Sequence, residues 1–386
     1  MRLAFIASNR TNSTGGSEAL WTKTAIRALK QGDEVACLVY DWKKPHPLLN
    51  EIQKAGGVIF YRKLRGKHRG ILSRAYLKLS YILKSRVLGE DYELNELARW
   101  KPDVICLSQG ADYDHAFHNT YLSFLNKYPI PFAILFHSYR DEGLINSTLR
   151  KKSNDVLSKT SMAYFVADRQ RAVIEKQLRI KLEKSRIVFN PLNLDSYEII
   201  PFPESNELRM AMISSLETRW KGHDILFESL AGSEWKNRTW RLEIYGNGKD
   251  KPELLEMAKF YGIENNVHFN GYESNIKKVW SQNQLLVMPS RIEAAPLTVA
   301  EAMICGRPVL TTDIGDMASY FEDGVSGFLA CAPNKKYLNI ALERLWNNQD
   351  RLEEMGKQAH HQAMAQFPLN ADELYLNELR ELAEKD

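Results

Sequence analysis

Two glutamates, Glu293 and Glu301, stand eight positions apart in the stretch "SRIEAAPLTVAEAMICGRPVLTT" (290–312). The stretch reads as a strand end, a turn and then a helix. Pro296 suits a first helical position and Gly306 suits the helix C-terminus. The small residues Ala294 and Ala295 come just before the helix. Unpaired backbone N–H groups and the positive end of the helix dipole suit a phosphate there. Glu293 falls in the approach loop, and Glu301 falls about one turn into the helix. A carboxylate accepts two hydrogen bonds and so matches a vicinal diol. One carboxylate for each sugar of a nucleotide-sugar, with phosphates between them, is a coherent arrangement. Alone, the pair reads more readily as helix-end electrostatics plus a solvated helix residue.

Other stretches carry residues of compatible chemistry. In "SSLETRWKGHDILF" (214–227), Arg219 and Lys221 form a cation pair after a strand, as a leaving diphosphate requires. In "YGNGKDKPEL" (245–254), Gly246 and Gly248 permit close backbone approach to a ligand, although glycines after strands often only turn the chain. "ASNRTNSTGGSEALW" (7–21) holds Gly15 and Gly16 in a glycine loop that lacks the dinucleotide spacing G-x-G-x-x-G. His137 ends a strand in "LFHSYRDEG" (135–143), where a core or capping histidine is the plainer reading.

The elements that must position these residues follow from the alternation of the chain. Apolar runs at 2–8, 35–40, 58–61, 103–108, 131–137, 162–167 and 186–190 alternate with helical patterns. The proline-bearing stretch 191–209 reads as a linker, and the alternation restarts at 209–214, 240–246, 267–269, 284–289, 308–312 and 327–330. Continuous apolar strands between helices predict parallel sheets covered on both faces. With 386 residues, this predicts an α/β chain of two Rossmann-like βαβ domains facing across a cleft. The expected boundaries are 1–195 for an acceptor-side domain, 196–365 for a nucleotide-sugar domain, and 366–386 for a final helix packing back on the first domain.

Composition narrows the classes. A net charge of +4, with no zinc-finger, basic-zipper or RRM pattern, gives no nucleic-acid signature. Cys37, Cys106, Cys305 and Cys331 show no C-x-x-C or metal spacing and read as reduced core residues, which fits the cytoplasm. The segment 61–88 holds nine lysines and arginines and no acidic residue. It reads either as an ordinary domain helix or as a contact for an anionic membrane surface or a lipid-linked acceptor, led by Arg62, Lys63, Arg65 and Lys67.

Together these pieces resemble the family 4 retaining glycosyltransferases of the GT-B fold, within glycosyl transferases group 1. "PSRIEAAPLTVAEAMICGRPV" is similar to that family's E-x7-E segment, and "RWKGHDILFESL" to its K-G-x-D segment. "YGNG", "VHFNGY", "DIGDMASYFEDGVSGFLA" and the N-terminal "GGSE" follow its order of pieces. The resemblance implies that Glu301 binds the ribose hydroxyls and Glu293 the donor sugar. It implies that Ala295, Pro296 and Leu297 border the phosphates, that Lys221 neutralises the diphosphate, and that His137 reaches the sugar from the other domain. Gly15, Gly16 and Gly246 take the positions of glycine loops near the donor. The family's usual arginine after the first strand of the second half is replaced by Ser214-Ser215, leaving Arg219 as the candidate substitute. Its G-F pair is Ala294-Ala295 here.

The expected activity is retaining transfer of a sugar from a nucleotide-sugar to an acceptor hydroxyl of a glycan or lipid-linked acceptor. Polysaccharide or glycolipid biosynthesis is the expected setting, in the cytoplasm or at the inner face of the membrane. No metal and no cofactor are expected, because no D-x-D lies where it could serve the phosphates. A non-catalytic nucleotide- or sugar-binding protein of the same fold is the alternative.

Overall fold

The computed structural model describes residues 1–10, 16–42, 45–62, 92–117, 120–141 and 143–384. Gly15 and residues 63–88 of the basic segment lie outside them. The chain forms two compact units, Met1–Pro191 with Asn370–Asp386, and Leu192–Leu369.

The first unit is built on β1 (Arg2–Ala7), β2 (Glu34–Tyr40), β3 (Val58–Arg62), β4 (Val104–Ser108), β5 (Phe132–Phe136), β6 (Met162–Phe165) and β7 (Ser185–Ile187). Their order is β3-β2-β1-β4-β5-β6-β7, and every ladder is parallel. Phe5 lies between Cys37 and Cys106 in register. Both β4 and β5 are buried along their whole length, which explains their uninterrupted apolar sequence. Helix Gly16–Lys30 buries Leu20, Trp21, Ala25 and Ala28.

The second unit repeats the plan with β8 (Leu208–Ile213), β9 (Trp240–Tyr245), β10 (Val267–Gly271), β11 (Leu285–Met288), β12 (Val309–Thr312) and β13 (Gly327–Ala330). Their order is β10-β9-β8-β11-β12-β13, again parallel. Its core gathers Met210, Leu226, Leu242, Val287, Leu310 and Phe328. In each sheet the strand order reverses beside the first strand, at β1/β4 and at β8/β11. Ligands of open α/β sheets bind beyond the carboxyl ends of strands at such a reversal.

The first unit runs to Pro191 and resumes at Asn370. The linker is fastened to the second unit, through Asn193 on Glu301 and through Ile200 and Pro201 on Arg307. The last helix, Ala371–Glu384, is fastened to the first unit. Asp372 accepts from Arg27 at 2.6 and 3.2 Å, and Asp33 from Arg380 at 2.6 Å.

Two expectations are corrected. Cys37, Cys106 and Cys305 are buried, and burial raises all three thiols, Cys106 and Cys305 to about 12; Cys331 is exposed and not a core residue. Arg62, placed by charge alone in a membrane-facing run, is buried. Its Nη1 donates to Tyr121 at 3.0 Å, and its guanidinium lies 5.9 Å from the Tyr40 ring. Strand β3 turns this side chain onto aromatic partners that desolvate it and stabilise its charge.

Candidate active site

Lys221 ends the short helix Thr218–Lys221, which follows β8. Gly222 then takes φ +72°, and a Cβ there would lie 2.0 Å from the Pro289 carbonyl oxygen. Only glycine lets this turn pass the end of β11. The loop after β11 is tied to the same turn. Arg291 N–H donates to the Trp220 carbonyl at 2.7 Å. The Arg291 guanidinium grips both oxygens of Asp224 at 2.7 Å each and the Thr218 carbonyl at 2.9 Å. Burial pushes the Asp224 carboxyl up, but the Arg291 fork outweighs it and holds the carboxyl below its ordinary range.

This brace brings Lys221 and Glu293 together. The Lys221 ammonium forms an ion pair with Glu293 Oε1. Ser290 Oγ donates to the same oxygen at 3.2 Å. Lysine and carboxylate side chains are only 22% and 13% exposed, so solvent screens them less than a surface pair.

Glu301 lies on helix Leu297–Ile304 and is 1% exposed. Its Oε1 accepts from the Asn193 backbone N–H at 2.9 Å and from Asn193 Nδ2 at 3.0 Å. The helix starts one residue later than expected. Pro296 is the N-cap, with extended ψ 117°, and supplies no side-chain cap. Ala295 and Leu297 flank this uncapped end and are partly exposed.

Arg219 does not join the ion pair. It is exposed, and its guanidinium rests on the Trp220 ring, 4.5 Å from the centroid. Gly246 is required by a close approach within its own unit. At φ +142° its Cβ would lie 1.9 Å from the Ser214 carbonyl oxygen, so the glycine serves the packing of its own chain. Ser214 Oγ in turn meets His223 Nε2 at 3.2 Å.

In the first unit His137 follows β5. Its Nε2 lies 3.1 Å from Ser108 Oγ at the end of β4, and its Nδ1 has no hydrogen-bond partner among the described residues. Burial pulls its pKa down to about 3. Gly16 opens helix Gly16–Lys30 after β1. Sequence reasoning missed Asp114, whose Oδ2 accepts from Ser8 Oγ at 2.6 Å and from Gly110 and Ala111 N–H at 3.0 Å each. It binds the ends of β1 and β4 together at the strand reversal. Asn193, Asp224, Ser290 and Arg291 were missed as well. The [ST]-x-x-E spacing of Ser290 and Glu293 was the one available signal.

Two buried histidines, His115 and His223, and the partly exposed His137 make stability depend on pH. His115 and His137 are pulled to about 3 and His223 to about 4, in each case mainly by burial, against an ordinary value of 6.5. The unfolded chain therefore binds more protons between roughly 6.5 and 4, and stability falls as pH falls through that window. His115 and His223 are fully buried, and each should contribute a loss on the order of 1 kcal/mol by pH 5.5. Urea midpoints at pH 7.5 and 5.5 measure the fall; equal midpoints would refute it.

Among the described residues no group of His, Cys, Asp or Glu is arranged to hold a metal ion, and no helix is long and apolar enough to cross a membrane.

Residues 199–362 match the family described as glycosyl transferases group 1. The chain is 27% identical over 153 residues to an alpha-D-kanosaminyltransferase of Streptomyces kanamyceticus, covering 39% of this chain and 40% of that protein. It is 32% identical over 126 residues to the lipopolysaccharide glucosyltransferase WaaG of Escherichia coli K12, covering 32% and 33%. The chain thus spans less than half the length of these relatives. Over its whole length it superposes on Anabaena Alr3699/HepE, solved in complex with UDP, with a TM-score of 0.72 at 16% identity, covering 99% of this chain and 100% of that one. The fold is GT-B.

Proposed function

With residues 199–362 in the glycosyl transferases group 1 family, we propose that the protein transfers a sugar from a nucleotide-sugar to an acceptor hydroxyl, with retention at the anomeric carbon. The observation that carries this reading is the Lys221–Glu293 pair just beyond β8 and β11, at the strand reversal of the second unit, with Glu301 on the helix that follows β11. In the transfer the bond from the anomeric carbon to the phosphate oxygen breaks and a bond to the acceptor oxygen forms. The acceptor's proton passes to the departing phosphate, so no protein base is needed. Negative charge grows on the diphosphate, where Lys221 and the uncapped helix start at Leu297 supply preorganised positive charge. Glu301 takes the ribose diol, Glu293 a sugar hydroxyl, and His137 is the first unit's candidate contact for the transferred sugar. Arg219, lying on Trp220 without a carboxylate partner among the described residues, is the reserve cation in place of the family's missing arginine. No metal is required in this scheme.

Assays with UDP-, GDP- and ADP-sugars, with and without EDTA, and with the anomeric configuration read by NMR, test the proposal. Nucleotide binding without transfer to any glycan or lipid-linked acceptor would leave a non-catalytic binding protein. Loss of transfer in EDTA that magnesium reverses would overturn the metal-free scheme. An acceptor on an anionic membrane surface is the proposed use of the basic stretch, now beginning at Lys63 because Arg62 is buried. The inner, cytoplasmic face is the proposed location.

Glu301→Gln should weaken nucleoside diphosphate binding by roughly tenfold, since a charged acceptor is lost to the ribose. Inorganic pyrophosphate, which has no ribose, should bind as before. Calorimetry on both ligands distinguishes a ribose contact from general damage, which would weaken both alike.

A further inference from the structure

The Lys221 ammonium is the proposed partner of the diphosphate, yet it already has a partner in Glu293. We propose that Glu293 is also a product-release residue. Its carboxylate and the departing nucleoside diphosphate are alternative partners for one ammonium, and the return of Lys221 to Glu293 expels the diphosphate. This inference rests on the donor-site reading above and adds a role to it.

The backbone holds both side chains in place. Arg291 ties the Glu293 loop to the Lys221 turn through Trp220, Thr218 and Asp224. Gly222 packs against Pro289 with no room for a side chain. Exchange of partners therefore proceeds by rotation of the lysine and glutamate side chains, without movement of either loop. Shielding drives the exchange to completion: at 22% and 13% exposure, neither group is well served by water alone.

The hydrogen-bond tally differs before and after transfer. With donor bound, sugar hydroxyls give Glu293 the donors that Lys221 withdraws, and the diphosphate receives Lys221. Ser290 Oγ, 3.2 Å from Glu293 Oε1, serves the carboxylate in either state. Once the sugar has left with the acceptor, Glu293 keeps Ser290 but loses the hydroxyls. It then stands as a partly buried anion close to the diphosphate, and both compete for Lys221. Recapture satisfies the carboxylate and removes the main counter-charge from the product.

The sign of one measurement separates this from a sugar contact alone. A carboxylate that only touches sugar leaves nucleoside diphosphate affinity unchanged when it is neutralised. A competitor for Lys221 raises that affinity when it is neutralised.

Calorimetry on the full chain with UDP, GDP and ADP identifies the diphosphate that binds, and that one is used throughout. Glu293→Gln should lower its dissociation constant by about tenfold, because the pair is shielded from solvent more than a surface pair. Stopped-flow displacement should show the gain in a slower off-rate. In a Lys221→Met background the same substitution should shift affinity by less than about twofold, since the shared ammonium is gone. Glu293→Ala, measured in parallel, removes the same competitor and keeps the sign readable if the glutamine form is unstable. Unchanged or weaker binding by both variants overturns the release role and leaves the donor-site reading intact. Tightening that persists in full without Lys221 also overturns it, because general charge repulsion then explains the gain. If wild type binds none of the three diphosphates, the donor-site reading fails and this role fails with it.

Discussion

Lys221→Met should lower the rate of sugar transfer by a factor on the order of 10²–10³, the usual cost of removing one preorganised charge from a developing anion. Methionine keeps most of the length and apolar volume of lysine, so packing beside Gly222 is retained. The loss should fall on kcat more than on KM, because charge on the diphosphate is greatest in the transition state. The variant also leaves Glu293, 13% exposed, with Ser290 as its remaining named donor. Thermal melting should accompany the kinetics, to separate a lost charge from a loosened loop. A rate within about threefold of wild type would place the counter-charge elsewhere. Arg219→Ala would then identify the exposed arginine on Trp220 as its source.

Arg307→Met should be the most destabilising single change in the second unit, by about 3 kcal/mol or more. Arg307 is fully buried, and burial pulls its pKa down to about 10. Its partners are carbonyl groups: Trp280 at 2.6 Å, Pro201 at 2.7 Å, Asn283 at 2.9 Å, Ile200 and Gly306 at 3.0 Å and Cys305 at 3.1 Å. Methionine fills the stem's space but supplies no donor, so several buried oxygens lose their partners at about 1–3 kcal/mol each before any relaxation. Ile200 and Pro201 belong to the same linker as Asn193, which holds Glu301. The variant should therefore weaken nucleoside diphosphate binding as well. Urea unfolding and calorimetry measure the two effects. A stability loss below about 1 kcal/mol would show that other donors satisfy those carbonyls.

The strands were legible in the sequence because parallel strands buried on both faces are continuous apolar runs. Several runs overshot the strand by one residue at its carboxyl end. Ser8, His137, Ser214 and Gly246 were read as strand, whereas the strands end at Ala7, Phe136, Ile213 and Tyr245. Those four positions stand just past the last ladder residue, where an open α/β sheet places its chemistry. The types of the site residues were legible; their pairing was not. Lys221 and Glu293 are 72 positions apart, and Asn193 and Glu301 are 108 apart. No local periodicity connects residues at such separations. The packing that requires Gly246 was hidden for a similar reason, since the Ser214 carbonyl that excludes a side chain comes from another loop. Arg62 was misjudged because a run of charge says nothing about which side chain a strand turns inward.

Because the chain leaves the first unit at Pro191 and re-enters it at Asn370, the second unit is an insertion within the first. This orders events during synthesis. Every residue of the second unit is made before the helix Ala371–Glu384 that completes its neighbour. The first unit must hold its sheet open until Asp372 reaches Arg27 across 345 positions and Tyr375 reaches Cys106 across 269. Such closures form late, because long loops cost entropy before their contacts form. A nascent chain stalled near residue 369 thus carries a complete second unit and a first unit whose β4 and β6 still lack Tyr375, the residue that covers Cys106 and Tyr164. The part translated first is the part finished last, and its uncovered apolar sheet is where a chaperone would bind the unfinished chain.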